Sequence, residues 1–154
     1  MKKRVISIAL ISMLLLLSLT GCTKKVAITT ENFKSIAQSH NYTIKDVKSQ
    51  YSEYTYISEA TVAGINNQWK VEFYVLTTET DAKAMFETNR KSFENSKGSV
   101  STEKSINLGN HSLYSVTSNG FYMYLSRIDN TLVYAKVSET YKHTVKDFIN
   151  ELKY

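Results

Sequence analysis

The sequence predicts an α+β fold, a single antiparallel sheet with helices packed on one face, and three observations predict it. Short runs rich in β-branched and aromatic residues alternate with a period of two. Tight-turn signals such as Ser118-Asn119-Gly120 and Asp129-Asn130 separate them. Stripes of helical period stand near the start, in the middle and at the end of the chain. The predicted order is roughly α-β-β-α-β-β-β-β-α, and the tight hairpins require antiparallel pairing.

The elements follow in order. Thr29 or Thr30 caps a short helix in which Phe33, Ile36, Ala37 and His40 share a face, and Asn41 stops it. Tyr42–Ser52 carries no clear period. Tyr54–Ala63 and Trp69–Leu76 form a hairpin around Gly64-Ile65-Asn66-Asn67. Thr78-Glu79-Thr80-Asp81 places a cap and acidic residues at the start of a helix with Ala82, Met85, Phe86, Asn89 and Phe93 on one stripe. That helix ends near Gly98. Four strands follow, Val100–Ile106, Ser112–Thr117, Phe121–Ile128 and Thr131–Val137. Ser138 then caps a last helix with Tyr141, Val145, Phe148, Ile149 and Leu152 on its apolar face.

The N-terminus carries a separate message. Lys2-Lys3-Arg4 precede the apolar or small run Val5–Leu19, which ends in Leu19-Thr20-Gly21-Cys22. The run is shorter than the ~20 residues a membrane-spanning helix needs. An ordinary secretory signal is the other alternative, but it leaves the position of the single cysteine unexplained. The segment Met1–Cys22 resembles the lipobox signal of bacterial lipoproteins. That resemblance implies a diacylglycerol thioether on the Cys22 sulfur and cleavage before it. It also implies an extracytoplasmic location, on the outer leaflet of the cell membrane in a one-membrane host. Two acyl chains anchor stably where one is marginal, and Lys24 and Lys25 favour anionic headgroups.

Three regions are expected: a signal over 1–21, a lipidated cysteine with a short tether over 22–30, and one α+β domain over 31–154. Of 154 residues, 133 remain after the first 21 are removed, enough for one domain with its own core. Removing Lys2, Lys3 and Arg4 lowers the net charge from +5 to +2. No concentrated basic stripe remains, so nucleic acid is not an expected partner. With Cys22 lipidated, the domain has no thiol for a disulfide, a nucleophile or a metal. The helix–hairpin order and the hairpin Arg127-Ile128-Asp129-Asn130-Thr131-Leu132 resemble small lipoproteins of low-GC bacteria. This implies a class and assigns no functional residue.

Alternation splits each strand into two faces. One set, Trp69, Val71, Phe73, Val75, Phe121, Met123, Leu125, Val133, Ala135 and Val137, is expected to be core. The other gathers Tyr74, Tyr122, Tyr124, Tyr134 and Tyr114 with Lys70, Glu72 and Lys136, and is the candidate binding face. Tyrosine offers contact area at low entropic cost and a hydrogen-bonding tip. The competing account is structural: cross-strand tyrosines stabilise a sheet without any partner, or Tyr42–Ser52 or the first helix covers them. An open face predicts that Tyr124→Ala and Tyr134→Ala leave folding nearly intact.

No catalytic motif stands out. His40, His111 and His143 are isolated, and neither H-E-x-x-H nor G-x-S-x-G occurs. No metal or cofactor is expected. The expectation is a lipid-anchored domain that acts by recognition rather than catalysis. Its partner would be a membrane or secreted protein, a second copy, or a cell-wall polymer. The alternatives are a structural envelope lipoprotein with no ligand and an enzyme whose site only tertiary structure assembles.

Overall fold

Asparagine, aspartate and glycine take up the left-handed backbone that tight hairpins demand. Asn119 (φ 54°) and Gly120 (φ 76°) close one hairpin, Asp129 (φ 50°) another, and Asn67 (φ 61°) and Gly109 (φ 58°) two more. A computed structural model describes residues 24–154. The segment expected to be a lipobox, including Cys22, lies outside the described residues.

Helix α1 spans Thr30–Ser39, followed by strand β1 (Thr43–Asp46) and a 3₁₀ turn, Lys48–Tyr51. Strands β2 (Ile57–Ile65) and β3 (Trp69–Leu76) lead to helix α2 (Glu79–Ser96). Strands β4 (Ser101–Leu108), β5 (His111–Ser118), β6 (Phe121–Ile128) and β7 (Thr131–Ser138) precede helix α3 (Lys142–Glu151). The α+β class and the single antiparallel sheet are as the sequence predicts. The sheet has seven strands in the order β1-β2-β3-β7-β6-β5-β4. The strand the sequence did not mark is β1, a short polar edge strand with almost no buried side chain. Such edges carry charge rather than apolar alternation.

Local chemistry explains the helix boundaries. Thr29 caps α1 by accepting the Asn32 N–H at 3.2 Å. Thr78 and Asp81 form a reciprocal capping box at the start of α2, each side chain accepting the other's N–H at 3.1 Å. Ser138 does not cap α3. Its hydroxyl bonds Thr140 at 3.3 Å, and a 3₁₀ turn, Glu139–Tyr141, intervenes.

The helices do not share one face of the sheet. Phe33 and Ala37 of α1 and Val145, Phe148, Ile149 and Leu152 of α3 pack on Ala63, Val71, Phe73, Val133 and Ala135. Ala82, Phe86 and Phe93 of α2 pack on the opposite face, against Tyr74, Met123, Leu125 and Leu132. The expected one-sided arrangement is corrected because both faces of the central strands are apolar. Each must be removed from water.

The expected tether over residues 22–30 is also corrected from Lys24 onward. Ala27 and Ile28 pack against the α1/α3 core, and Thr30 is buried. The backbone N–H of Lys25 donates to Asn110 Oδ1 at 3.2 Å, and Asn110 Nδ2 donates to the Lys25 carbonyl at 2.7 Å. Asp129 N–H donates to the Asn110 carbonyl at 3.0 Å, which joins two turns at this end of the sheet.

His111 stands beside that junction. It is 7% exposed and its Nε2 lies 3.1 Å from Ser126 Oγ. Burial first, then the charges of Lys25, Arg127 and Lys104, push its pKa down to about 4. Between about pH 6.5 and pH 4 the unfolded chain therefore binds a proton that the folded chain does not. Stability contributed by neutral His111 is full above pH 6.5 and falls as pH drops through this window, by about 2–3 kcal/mol. Denaturant titrations of His111→Gln should show a flatter pH dependence between pH 6.5 and 4 than the wild type. An unchanged acid limb would assign that instability to other groups.

Candidate functional site

One long-range seam joins the two halves of the sheet, and the site lies where the seam stops. Strands β3 and β7 pair from Val75↔Thr131 to Glu72↔Tyr134 and no further. Continuing the register two residues would set Lys70 directly against Lys136 on the α2 face. Like charges directly opposite each other destabilise a ladder. Beyond Glu72, β3 pairs only with β2 and β7 only with β6. A groove of about 470 Å³ opens at this fork. Its lining includes Thr43 and Lys45 of β1, Gln50 and Tyr51 of the 3₁₀ turn, Asn66, Asn67 and Gln68 of the β2–β3 turn, and Lys70 and Lys136.

Gly64 belongs to this lining for a steric reason. A Cβ there would stand 2.2 Å from the Trp69 carbonyl oxygen and 2.8 Å from Lys70 Cα. Only glycine lets the two backbones of the β2–β3 hairpin approach this closely.

Beneath the lysines runs a polar chain. Glu72, 8% exposed, accepts the Tyr74 hydroxyl and pairs with Lys70 Nζ at 2.8 Å. The Tyr51 and Tyr74 hydroxyls are 2.8 Å apart. Burial and then the Glu72 charge hold the Tyr74 hydroxyl far above its ordinary pKa, so it stays protonated. The hydrogen bond to Glu72 raises the Lys70 pKa, so the ammonium stays charged. Lys45 and Lys136 make no ion pair among the described residues. The Lys136 ammonium lies 5.7 Å from the centroid of Phe121 instead. The groove thus presents three ammonium groups to one carboxylate, and that carboxylate is already engaged.

The candidate face of the sequence analysis is split by the sheet. Lys70, Glu72, Tyr74, Tyr134 and Lys136 share the α2 face, as does Tyr114. Tyr122 and Tyr124 lie on the other side, because β6 pairs Tyr122 with Val137 and Tyr124 with Ala135. The open tyrosine face is corrected as well. Tyr74, Tyr114, Tyr122 and Tyr124 are each at most 6% exposed, and half-buried Tyr134 packs on Phe93 at 5.2 Å between ring centroids. Tyr114 donates to Glu103 at 2.7 Å, far from the groove. Burial raises the Tyr122 and Tyr134 hydroxyls to about 12. Missing from the sequence-based set were Lys45, Tyr51 and Gly64, which belong to β1, the 3₁₀ turn and the hairpin crossing.

A smaller cleft of about 250 Å³ lies on the α1/α3 face. Its lining includes Lys104, Lys142 and Lys146 with Tyr122 and Tyr124. Lys142 Nζ sits 5.8 Å from the centroid of Tyr122. Among the described residues no cluster of three His, Cys, Asp or Glu could hold a metal. No described helix is long and apolar enough to cross a membrane.

No family model matches the chain, and no curated protein matches it in sequence. Among solved structures, a GTP-binding regulator from Thermotoga maritima matches at a TM-score of 0.47 and 17% identity. The match covers 81% of this chain and 84% of that one.

The tyrosines give a direct stability test. Tyr124→Ala should cost about 3–5 kcal/mol in denaturant titrations, the range for truncating a buried aromatic. Tyr54→Ala, at a residue 47% exposed, should cost far less. Near-equal small effects would restore an open tyrosine face.

Proposed function

We infer that this protein is a lipid-anchored extracytoplasmic recognition domain whose fork groove binds an anionic cell-wall polymer. The observation that carries the reading is the juxtaposition of Lys70 and Lys136 where the β3–β7 ladder ends, with Lys45 alongside. Lysines on both sides of the fork, with a single, internally paired carboxylate nearby, lower the local cost of holding a polyanion. Asn66, Asn67, Gln68 and Gln50 add neutral donors and acceptors suited to hydroxylated units. The groove is open rather than enclosed, which suits a chain that passes through it. The lipobox-like Met1–Cys22 supports the anchoring. Anchoring raises the effective concentration of the groove against envelope partners.

Recognition is favoured over catalysis by the state of Glu72. It is buried, bonded to Tyr74 and paired with Lys70, and so is poorly placed to exchange protons with a ligand.

Polyglycerol phosphate titrated into the detergent-solubilised protein tests this reading. Lys136→Glu should weaken binding by about tenfold or more, since a reversed charge replaces attraction with repulsion. Affinity should also fall with added salt. Lys146→Glu makes the same change in net charge on the opposite face and should have little effect. Equal losses in the two variants would reduce the effect to net charge and remove the groove from the reading.

A further inference from the structure

The placement of Lys24 and Lys25 fixes which end of the domain meets the attachment point, an inference that rests on the lipidation of Cys22 proposed above. Lys24 pairs with Asp129 at 3.3 Å, and Lys25 Nζ donates to the Lys153 carbonyl at 2.9 Å. The Asn110 side chain bonds both the N–H and the carbonyl of Lys25. The chain is thereby stapled to the β4–β5 and β6–β7 turns within two residues of Cys22. Two residues of chain reach about 7 Å at most. A lipidated Cys22 holds this end of the sheet against the bilayer and leaves no slack for the opposite end to turn toward it.

Of the seven large apolar side chains exposed among the described residues, four lie at this end, while Ile65, Val100 and Phe121 lie at the opposite one. Val26 (81% exposed) adjoins Lys25, and Leu108 (59%) immediately precedes the Gly109-Asn110 turn. Tyr56 (39%) lies at this end too. Its carbonyl accepts the Thr77 N–H, next to Leu76, whose own N–H donates to the Asn130 carbonyl. Tyr54 (47%) stacks edge-on against Tyr56 at 5.7 Å. Strands β2 and β4 are five strand spacings apart, about 24 Å. The tyrosines and Leu108 thus flank the attachment point on either side. Tyrosines at headgroup depth beside an apolar contact and lysines are what a membrane interface favours.

Carboxylates at this end are matched in part, and exposed Glu59 makes no ion pair among the described residues. Asp129 is matched by Lys24, and Glu79 by Lys83 at 3.1 Å and buried Arg127 at 3.2 Å. Glu53 makes no ion pair among the described residues and stays exposed. We propose that the end of the sheet formed by Val26, Tyr54, Tyr56, Leu108 and the Asp129-Asn130 turn lies on the lipid surface. The fork groove, beside the Asn66–Gln68 turn at the other end, then points away from the membrane. Eight-residue strands such as β7 set it roughly 25 Å above the headgroups.

The test uses the full lipidated protein in phosphatidylethanolamine–phosphatidylglycerol vesicles containing brominated lipid. A fluorophore is placed on Leu108→Cys, on Tyr56→Cys or, as the distal control, on Asn67→Cys. Vesicle flotation is measured on the same samples. Flotation with several-fold stronger quenching at 108 and 56 than at 67 is the expected result. Flotation with equally weak quenching at all three sites overturns the docked orientation while leaving the anchor intact. Stronger quenching at 67 overturns it by inverting the domain. Loss of flotation removes the anchor and the orientation together. Protection of 108 and 56 by a second copy rather than lipid would appear as quenching that vanishes while the labels remain shielded from aqueous iodide, and it also overturns the proposal.

Discussion

The β3–β7 seam is the contact on which the rest of the structure depends. Every other strand pairing joins neighbours in sequence, through tight turns except between β1 and β2, where the 3₁₀ turn intervenes. The seam alone joins the three-stranded N-terminal half to the four-stranded C-terminal half. It is short, and Asn130 reinforces it by bonding both backbone groups of Leu76 at 2.8 Å. Its non-local character means that loop-closure entropy must be overcome before its contacts form. The helices then lock it from both sides, Phe73 and Val133 facing α1 and α3, Tyr74 and Leu132 facing α2.

The same seam makes the groove. A ladder that continued would place two lysines opposite each other, and their repulsion favours separation over pairing. Glu72 satisfies Lys70, leaving Lys136 and Lys45 without an anionic partner among the described residues. Backbone pairing stops where the two lysines would otherwise meet, and the groove opens there.

The buried tyrosines illustrate how a surface chemistry becomes a core chemistry. Tyr74, Tyr114 and Tyr154 each place the ring in apolar packing and the hydroxyl on a partner, Glu72, Glu103 and Thr131 respectively. A ring gains burial energy only if its hydroxyl is satisfied. Where an acceptor side chain lies within reach of the hydroxyl, on the same strand as for Glu72 or a neighbouring one as for Glu103, a tyrosine can be interior rather than exposed.

The sequence by itself determined the antiparallel α+β class, the turns at Asn119-Gly120 and Asp129-Asn130, the capped start of α2 and the apolar stripes of all three helices. These are set by backbone sterics, by capping groups and by local periodicity, which act over a few residues. It also contained the β6–β7 register, since a two-residue turn at Asp129-Asn130 makes Ile128 pair with Thr131 and so puts Tyr124 opposite Ala135. Sorting faces by hydrophobicity alone obscured this, because Met123 and Leu125 are as apolar as the true partners of Trp69 and Phe73. Tertiary structure alone decided that both faces are covered, that β1 completes the edge, and that β3 meets β7 in a ladder that ends before Lys70 and Lys136 would pair. Those outcomes depend on pairing between residues some sixty positions apart, such as Glu72 and Tyr134, which no local pattern specifies.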